Sequence, residues 1–182
     1  MKVLVTGLAA IAAAVPLAGV ATAAPSTPEV PGTIAVEEGH KPFLVGHAVG
    51  VQIYTCNGSA WGPAVPRANL YGDSGVLIAT HFGGPSWQAK DGSKVVGRRA
   101  ADPVTVDPDA IPWLLIAPTS ATAGPDGDRL AHTTYIQRIA TTGGLPPAPA
   151  DCNADTAGDP AEVPYTADYV FWKATSSEGD EQ

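Results

Sequence analysis

The chain has 182 residues, 45% of them hydrophobic, with 10 Lys and Arg against 18 Asp and Glu and a formal net charge of −8 at pH 7. Its one adjacent basic pair is Arg98-Arg99. Phosphate binding needs clustered Lys and Arg, so nucleic acid is excluded as an expected partner. The length is that of a single domain able to bury its own core.

The first 28 residues, MKVLVTGLAAIAAAVPLAGVATAAPSTP, place one positive charge (Lys2) before a long alanine-rich apolar run. Ala21 and Ala23 supply the small-residue pattern of a cleavage site, so residues 1–23 are expected to be a secretory signal peptide cut after Ala23. Gly7, Pro16 and Gly19 interrupt the run, and no basic stop-transfer flank follows it, which argues against a membrane anchor. No later segment is long and apolar enough to span a bilayer. The mature chain is expected to be a secreted, extracellular protein. Its two cysteines, Cys56 and Cys152, then point to one disulfide. The alternatives are two free thiols, or a nucleophilic cysteine paired with a histidine.

Residues 24–32 form a Pro-rich, flexible lead-in, and Thr33 to Val36 is a candidate first strand. From His47 the chain alternates. His47, Val49, Val51, Ile53 and Thr55 share one face, and Ala48, Gly50, Gln52, Tyr54 and Cys56 share the other, a strand pattern. Turn-rich sequence surrounds a short segment at Asn69 to Tyr71. Gly75 to Phe82 is a second alternating strand. Ser86 to Ala89, the turn KDGS and Lys94 to Gly97 form a hairpin, because Asp91-Gly92 supplies the positive φ of a tight turn. Trp113 to Ala117 is a continuous apolar run suited to a buried strand, and GPDGDR is a turn. Leu130 to Ala140 alternates again, TTGGLPPAPADC is a Gly/Pro connection, and Val163 to Trp172 is the last strand. Residues 175–182 are expected to be a disordered acidic tail.

No segment after residue 24 shows a 3.6-residue apolar stripe with caps. Seven or eight short strands punctuated by 20 Gly and 18 Pro make residues 33–174 a single all-β domain with Gly/Pro-rich loops. Either a β-sandwich or a small β-barrel would bury such strands, and the sequence does not separate them.

Several stretches together carry a resemblance: GVQIYTC (50–56), THFGGPSWxAxDGSxVVG (80–97), AIPWLL (110–115), YIQRIATTGG (135–144) and YTADYVF (165–171). The combination resembles a family of secreted bacterial and fungal proteins catalogued as a domain of unknown function. The resemblance spans about Gly32 to Lys173. It implies export and one all-β domain, and it brings no established activity. Some fungal members carry a malate dehydrogenase label. Here no G-x-G-x-x-G follows a strand, and strands do not alternate with long helices, so that label finds no support. The Ala/Gly/Pro-rich body has the composition of a high-GC bacterial source. Asn57-Gly-Ser59 matches a glycosylation sequon, which matters only in a eukaryotic secretory pathway.

For chemistry, the chain has four histidines: His40, His47, His81 and His132. None falls in an H-x-H or H-E-x-x-H pair, so no metal and no cofactor is expected. There is no G-x-S-x-G, and Asp107/Asp109 and Asp126/Asp128 sit in turns where Asp serves the backbone. The aromatic set is richer than a minimal core requires. Trp61 and Trp87 lie in Gly/Pro-rich contexts that suit exposed platforms for sugar rings, and the alternative is that they pack the interior. Gln137 and Arg138 fall on opposite strand faces, and an inward Arg138 would demand a buried partner such as Asp168.

The leading expectation is a non-catalytic secreted domain that binds a small molecule, a carbohydrate or a cell-envelope component. Its candidate ligand-binding residues are His47, Tyr54, Trp61, His81 and Trp87. The runner-up is an exported hydrolase or metal-dependent enzyme using His47 or His81, and a third reading is a structural surface-interaction protein. The sequence sets no oligomeric state.

Overall fold

The computed structural model describes residues 25–176. The expected signal peptide (1–23) and most of the expected acidic tail (175–182) lie outside the described residues. Eight strands run in chain order: β1 (His40–Thr55), β2 (Val65–Tyr71), β3 (Leu77–Phe82), β4 (Ser86–Ala89), β5 (Lys94–Arg99), β6 (Leu114–Thr122), β7 (Tyr135–Gly143) and β8 (Pro160–Ala174). Each pairs antiparallel with its neighbour in sequence. β1 also pairs with β8, from His40 opposite Ala174 to Thr55 opposite Pro160, which closes the sheet into a barrel. The long first and last strands therefore decide between barrel and sandwich: once they pair, neither is left as an open edge.

Period-two alternation sorts the side chains. Ala48, Ala68, Leu70, Ala79, Trp87, Ile116, Ile136, Tyr169 and Phe171 pack in one inner cluster, mixing small and large residues as a narrow barrel requires. Gly50 is small for a specific reason. A Cβ there would come within 2.5 Å of the Ala68 backbone and side chain, so β1 and β2 could not approach as they do. On the outer wall, Ile139, Val170 and Trp172 form a second cluster with Val30 and Val36 laid against it. The Gln137 amide is fully buried in this outer layer, donating to the Ile34 carbonyl at 2.7 Å and accepting from Trp172 Nε1 at 2.9 Å.

Two expectations change here, and the expected disulfide holds. The candidate strand at Thr33 to Val36 is instead a 3₁₀ turn over Gly32–Ile34, and Ile34 is fully buried. A four-residue apolar stretch is too short to declare its period, and packing against the barrel wall decided it. β7 starts at Tyr135 rather than Leu130, because Leu130 turns inward as a plug before the strand begins. The two cysteines are joined: Cys56 at the end of β1 is disulfide-bonded to Cys152 in the β7–β8 connection.

Candidate functional site

The barrel has two unlike ends. At one, the β4–β5 hairpin and the β6–β7 connection fold over the opening. At the other, the β1–β2, β3–β4 and β5–β6 connections surround a cavity of about 670 Å³. This volume is in the range of small-molecule sites. Its lip includes the Gly83-Gly84-Pro85 corner and exposed Ala64, Val65 and Arg99. Its apolar walls come largely from Leu114, Ile116, Pro112 and Trp87, and its polar groups are Gln52, His81, Arg138 and Tyr169.

Each polar group is positioned by its strand. Gln52 lies on the inward face of β1, in step with Ala48 and Tyr54, and is 2% exposed. His81, next to last in β3, stacks on Trp87 of β4, with ring centroids 4.3 Å apart and planes 7° from parallel. Tyr169 meets both rings edge-on, at 4.9 and 5.5 Å. Arg138 of β7 stands opposite Leu114 and Tyr169 in the ladder. Its Nε and Nη2 both donate to the Pro112 carbonyl, at 3.1 and 2.8 Å.

Burial sets the charge states. His81 is held down to about 4 by burial, with the Arg138 charge also disfavouring protonation, so it is neutral at pH 7. Its Nδ1 lies 2.9 Å from the Ser86 carbonyl, which can only accept. The proton is therefore on Nδ1, and Nε2 is an acceptor. Burial raises Tyr54, Tyr165 and Tyr169, and Arg138 opposes the rise in all three. The guanidinium field thus reaches His81 and these three phenols alike.

Among the described residues, the buried side-chain polar atoms with no hydrogen-bond partner are Gln52 Nε2 and Trp87 Nε1. Both residues line this cavity. Buried polar groups are nearly always paired, and each exception calls for an explanation.

The five residues singled out from the sequence do not converge. His81 and Trp87 meet in the cavity wall. Trp87 is 1% exposed, so it is a wall residue and not the exposed platform its Gly/Pro context suggested. Tyr54 is buried beside the cavity, its hydroxyl donating to the Gly144 carbonyl at 2.5 Å. Trp61 sits by the disulfide, bridged to Cys56, with its indole N–H on the Ala148 carbonyl at 3.2 Å.

His47 is on the outer wall. The alternation that grouped it with Val49 is correct, but that face points outward, and Val49 is 57% exposed. His47 Nδ1 contacts Asp168 at 2.7 Å and Nε2 contacts Asp73 at 2.9 Å. These hydrogen bonds, led by Asp73, raise its pKa. With both ring nitrogens on carboxylates, it has no lone pair facing a hydroxyl to act as a general base. Among the described residues, no group of three or more His, Cys, Asp or Glu is placed to hold a metal ion.

Arg138 corrects a second expectation. It points inward, but its foreseen partner Asp168 is engaged by His47 on the far side of the wall. Gln52, Arg138 and Tyr169 were missed as site residues. Alternation put Gln52 on the face with Tyr54, and that shared face was the available signal for it.

The family model described as Protein of unknown function (DUF3455) matches residues 37–173, which covers all eight strands but the last residue of β8. No curated protein and no solved structure matches the chain.

Proposed function

The chain belongs to the DUF3455 family of proteins of unknown function, and we propose that it is a secreted binding protein that takes one small amphipathic molecule into the open end of its barrel. The observation that carries this reading is the pair of orphaned polar groups, Gln52 and Trp87, in the apolar mouth. An unpaired buried polar group costs roughly 1–3 kcal/mol, a cost that a ligand meeting it would remove. The Cys56–Cys152 disulfide supports an oxidising, extracellular setting. The hydrolase reading is less well supported, since His81 bonds a backbone carbonyl and His47 bonds two carboxylates.

The test is a fluorescence titration with N-phenyl-1-naphthylamine, an uncharged apolar probe that brightens out of water. One saturable site is expected in the wild type. Leu114→Trp, which fills the cavity wall with a larger side chain, is expected to weaken it about tenfold, since shape complementarity sets affinity in such pockets. Binding that is absent in the wild type, or indifferent to Leu114→Trp in a folded variant, would sink the proposal.

A further inference from the structure

Resting on that reading of the mouth as a binding site, we infer that the ligand is an organic acid: an apolar body bearing one oxyanion, such as a carboxylate or sulfonate, that docks on Arg138.

Three observations point the same way. The first is charge. The chain as a whole carries −8, yet among the described residues no Asp or Glu lines the cavity, and its charged side chains are Arg99 at the lip and Arg138 within. Surface repulsion of an anion fades beyond about 8 Å at physiological salt, so inside the mouth the local guanidinium outweighs the distant carboxylates. Arg138 is half-buried among apolar residues; its Nε and Nη2 share the Pro112 carbonyl and the Tyr169 hydroxyl is its side-chain neighbour, so no carboxylate among the described residues engages its fork. A guanidinium has five N–H donors in a planar fork that matches an oxyanion.

The second observation is donor excess. Trp87 Nε1 can only donate and has no partner, and the Gln52 Nε2 amide protons have none. Against these stand two acceptors, the His81 Nε2 lone pair and the Gln52 side-chain oxygen, fewer than the N–H groups of Trp87, Gln52 and Arg138 together. A sugar presents several hydroxyls that each donate as well as accept, more donors than these two acceptors can meet. An oxyanion presents acceptors only, which is what unpaired N–H groups require. Third, the rest of the lining (Leu114, Ile116, Val65 and the prolines at 66, 85, 103 and 112) offers contact for an apolar body and no further polar recognition.

The probes that separate these features are 1-anilinonaphthalene-8-sulfonate and N-phenyl-1-naphthylamine, which share the aromatic body and differ by the sulfonate. Arg138→Gln is expected to weaken the sulfonate probe at least tenfold and to leave the neutral probe within about twofold, as expected for loss of a charge-assisted pair. Arg138→Lys should restore a large part of the sulfonate affinity. Retained neutral-probe binding shows in the same experiment that the variant is folded. Should Arg138→Gln not fold, raising salt from about 0.05 to about 0.5 M must weaken the sulfonate probe and spare the neutral one in the wild type.

Equal loss of both probes in a folded Arg138→Gln protein, no loss of the sulfonate probe, or salt-indifferent sulfonate binding would each overturn the anion inference and leave the binding-site reading intact. Failure of the neutral probe to bind the wild type strikes the binding-site reading itself.

Discussion

The two ends of the barrel treat buried polar groups in opposite ways. At the closed end, Asp91 Oδ1 accepts from the Ser93 amide at 2.9 Å and the Ser93 hydroxyl at 2.5 Å, and Oδ2 accepts from the Arg129 amide at 2.8 Å. The Ser93 hydroxyl oxygen in turn accepts from the Leu130 amide at 3.0 Å. Ser93 and Leu130 are fully buried, so hairpin and connection are tied together over the core. Gly124 lets them close: a Cβ there would lie 2.2 Å from the Asp91 carbonyl oxygen. At the open end, among the described residues, buried donors on Gln52 and Trp87 have no partner and no carboxylate lines the cavity beside the Arg138 guanidinium. Polar groups that are fully satisfied specify structure, while those left waiting cost stability and are kept for something else.

The largest test of this contrast concerns what holds the open end together. Without a polar seal, its rim is pinned by the Cys56–Cys152 link, which closes a 96-residue separation. Replacing both cysteines with Ala is expected to cost about 4–5 kcal/mol by the chain-entropy account. Hydrogen exchange should then rise first in the β1 end and the β7–β8 connection, with the Ser93 and Leu130 amides protected longest. Uniform loss of protection would mean that the two ends do not differ in this way.

Next in size is acid sensitivity. His81 takes up its proton near 4 in the folded protein and near 6.5 when unfolded. Between these values the unfolded chain binds more protons, so stability falls as pH drops from about 6.5 towards about 4, by roughly 3 kcal/mol in all. His47 has the opposite sign: its raised pKa adds stability present at low pH and lost as pH climbs above 6.5. This contribution is small because the ring is 44% exposed and solvent screens the pairs. Urea midpoints across pH for His81→Gln should flatten the acid limb, and for His47→Gln should flatten only the alkaline one.

At the closed end, Asp91→Ala removes three hydrogen bonds and should lower stability by about 2–3 kcal/mol. The smallest expected effect runs the other way. Gln52→Leu removes a buried orphan amide from the open end and should raise stability by up to about 1 kcal/mol, read as a higher Tm. A Gln52→Leu protein that loses as much as Asp91→Ala would erase the distinction between the two ends.

Much of the scaffold was legible in the residues. The alternation from His47 to Cys56 correctly sorted two faces, and Asp91-Gly92 marked a hairpin that does form. The same alternation could not say which face was inside. His47 shares a face with the aliphatic Val49, Val51 and Ile53, and the fold nevertheless places that face outside. Gln52 and Arg138 were harder still. Polar residues on strands read as solvent-facing, and only closure of the barrel turns their positions into a cavity wall. Trp87 shows the reverse error: Gly83, Gly84 and Pro85 form the lip of the mouth, and the tryptophan just past them is carried inward by its pairing with Val95.

By itself the sequence determined the local conformations. Period-two patterning and turn residues act over a few positions, and they are enough to dictate strands, hairpin and all-β class. The pairing of β1 with β8, about 120 residues apart between His47 and Asp168, was decided only in three dimensions. That pairing closes the barrel, sets inside and outside, takes Asp168 away from Arg138, and leaves one mouth sealed and one open. Long-range partner choice depends on how all eight strands bury their faces at once, and no window of sequence contains that sum.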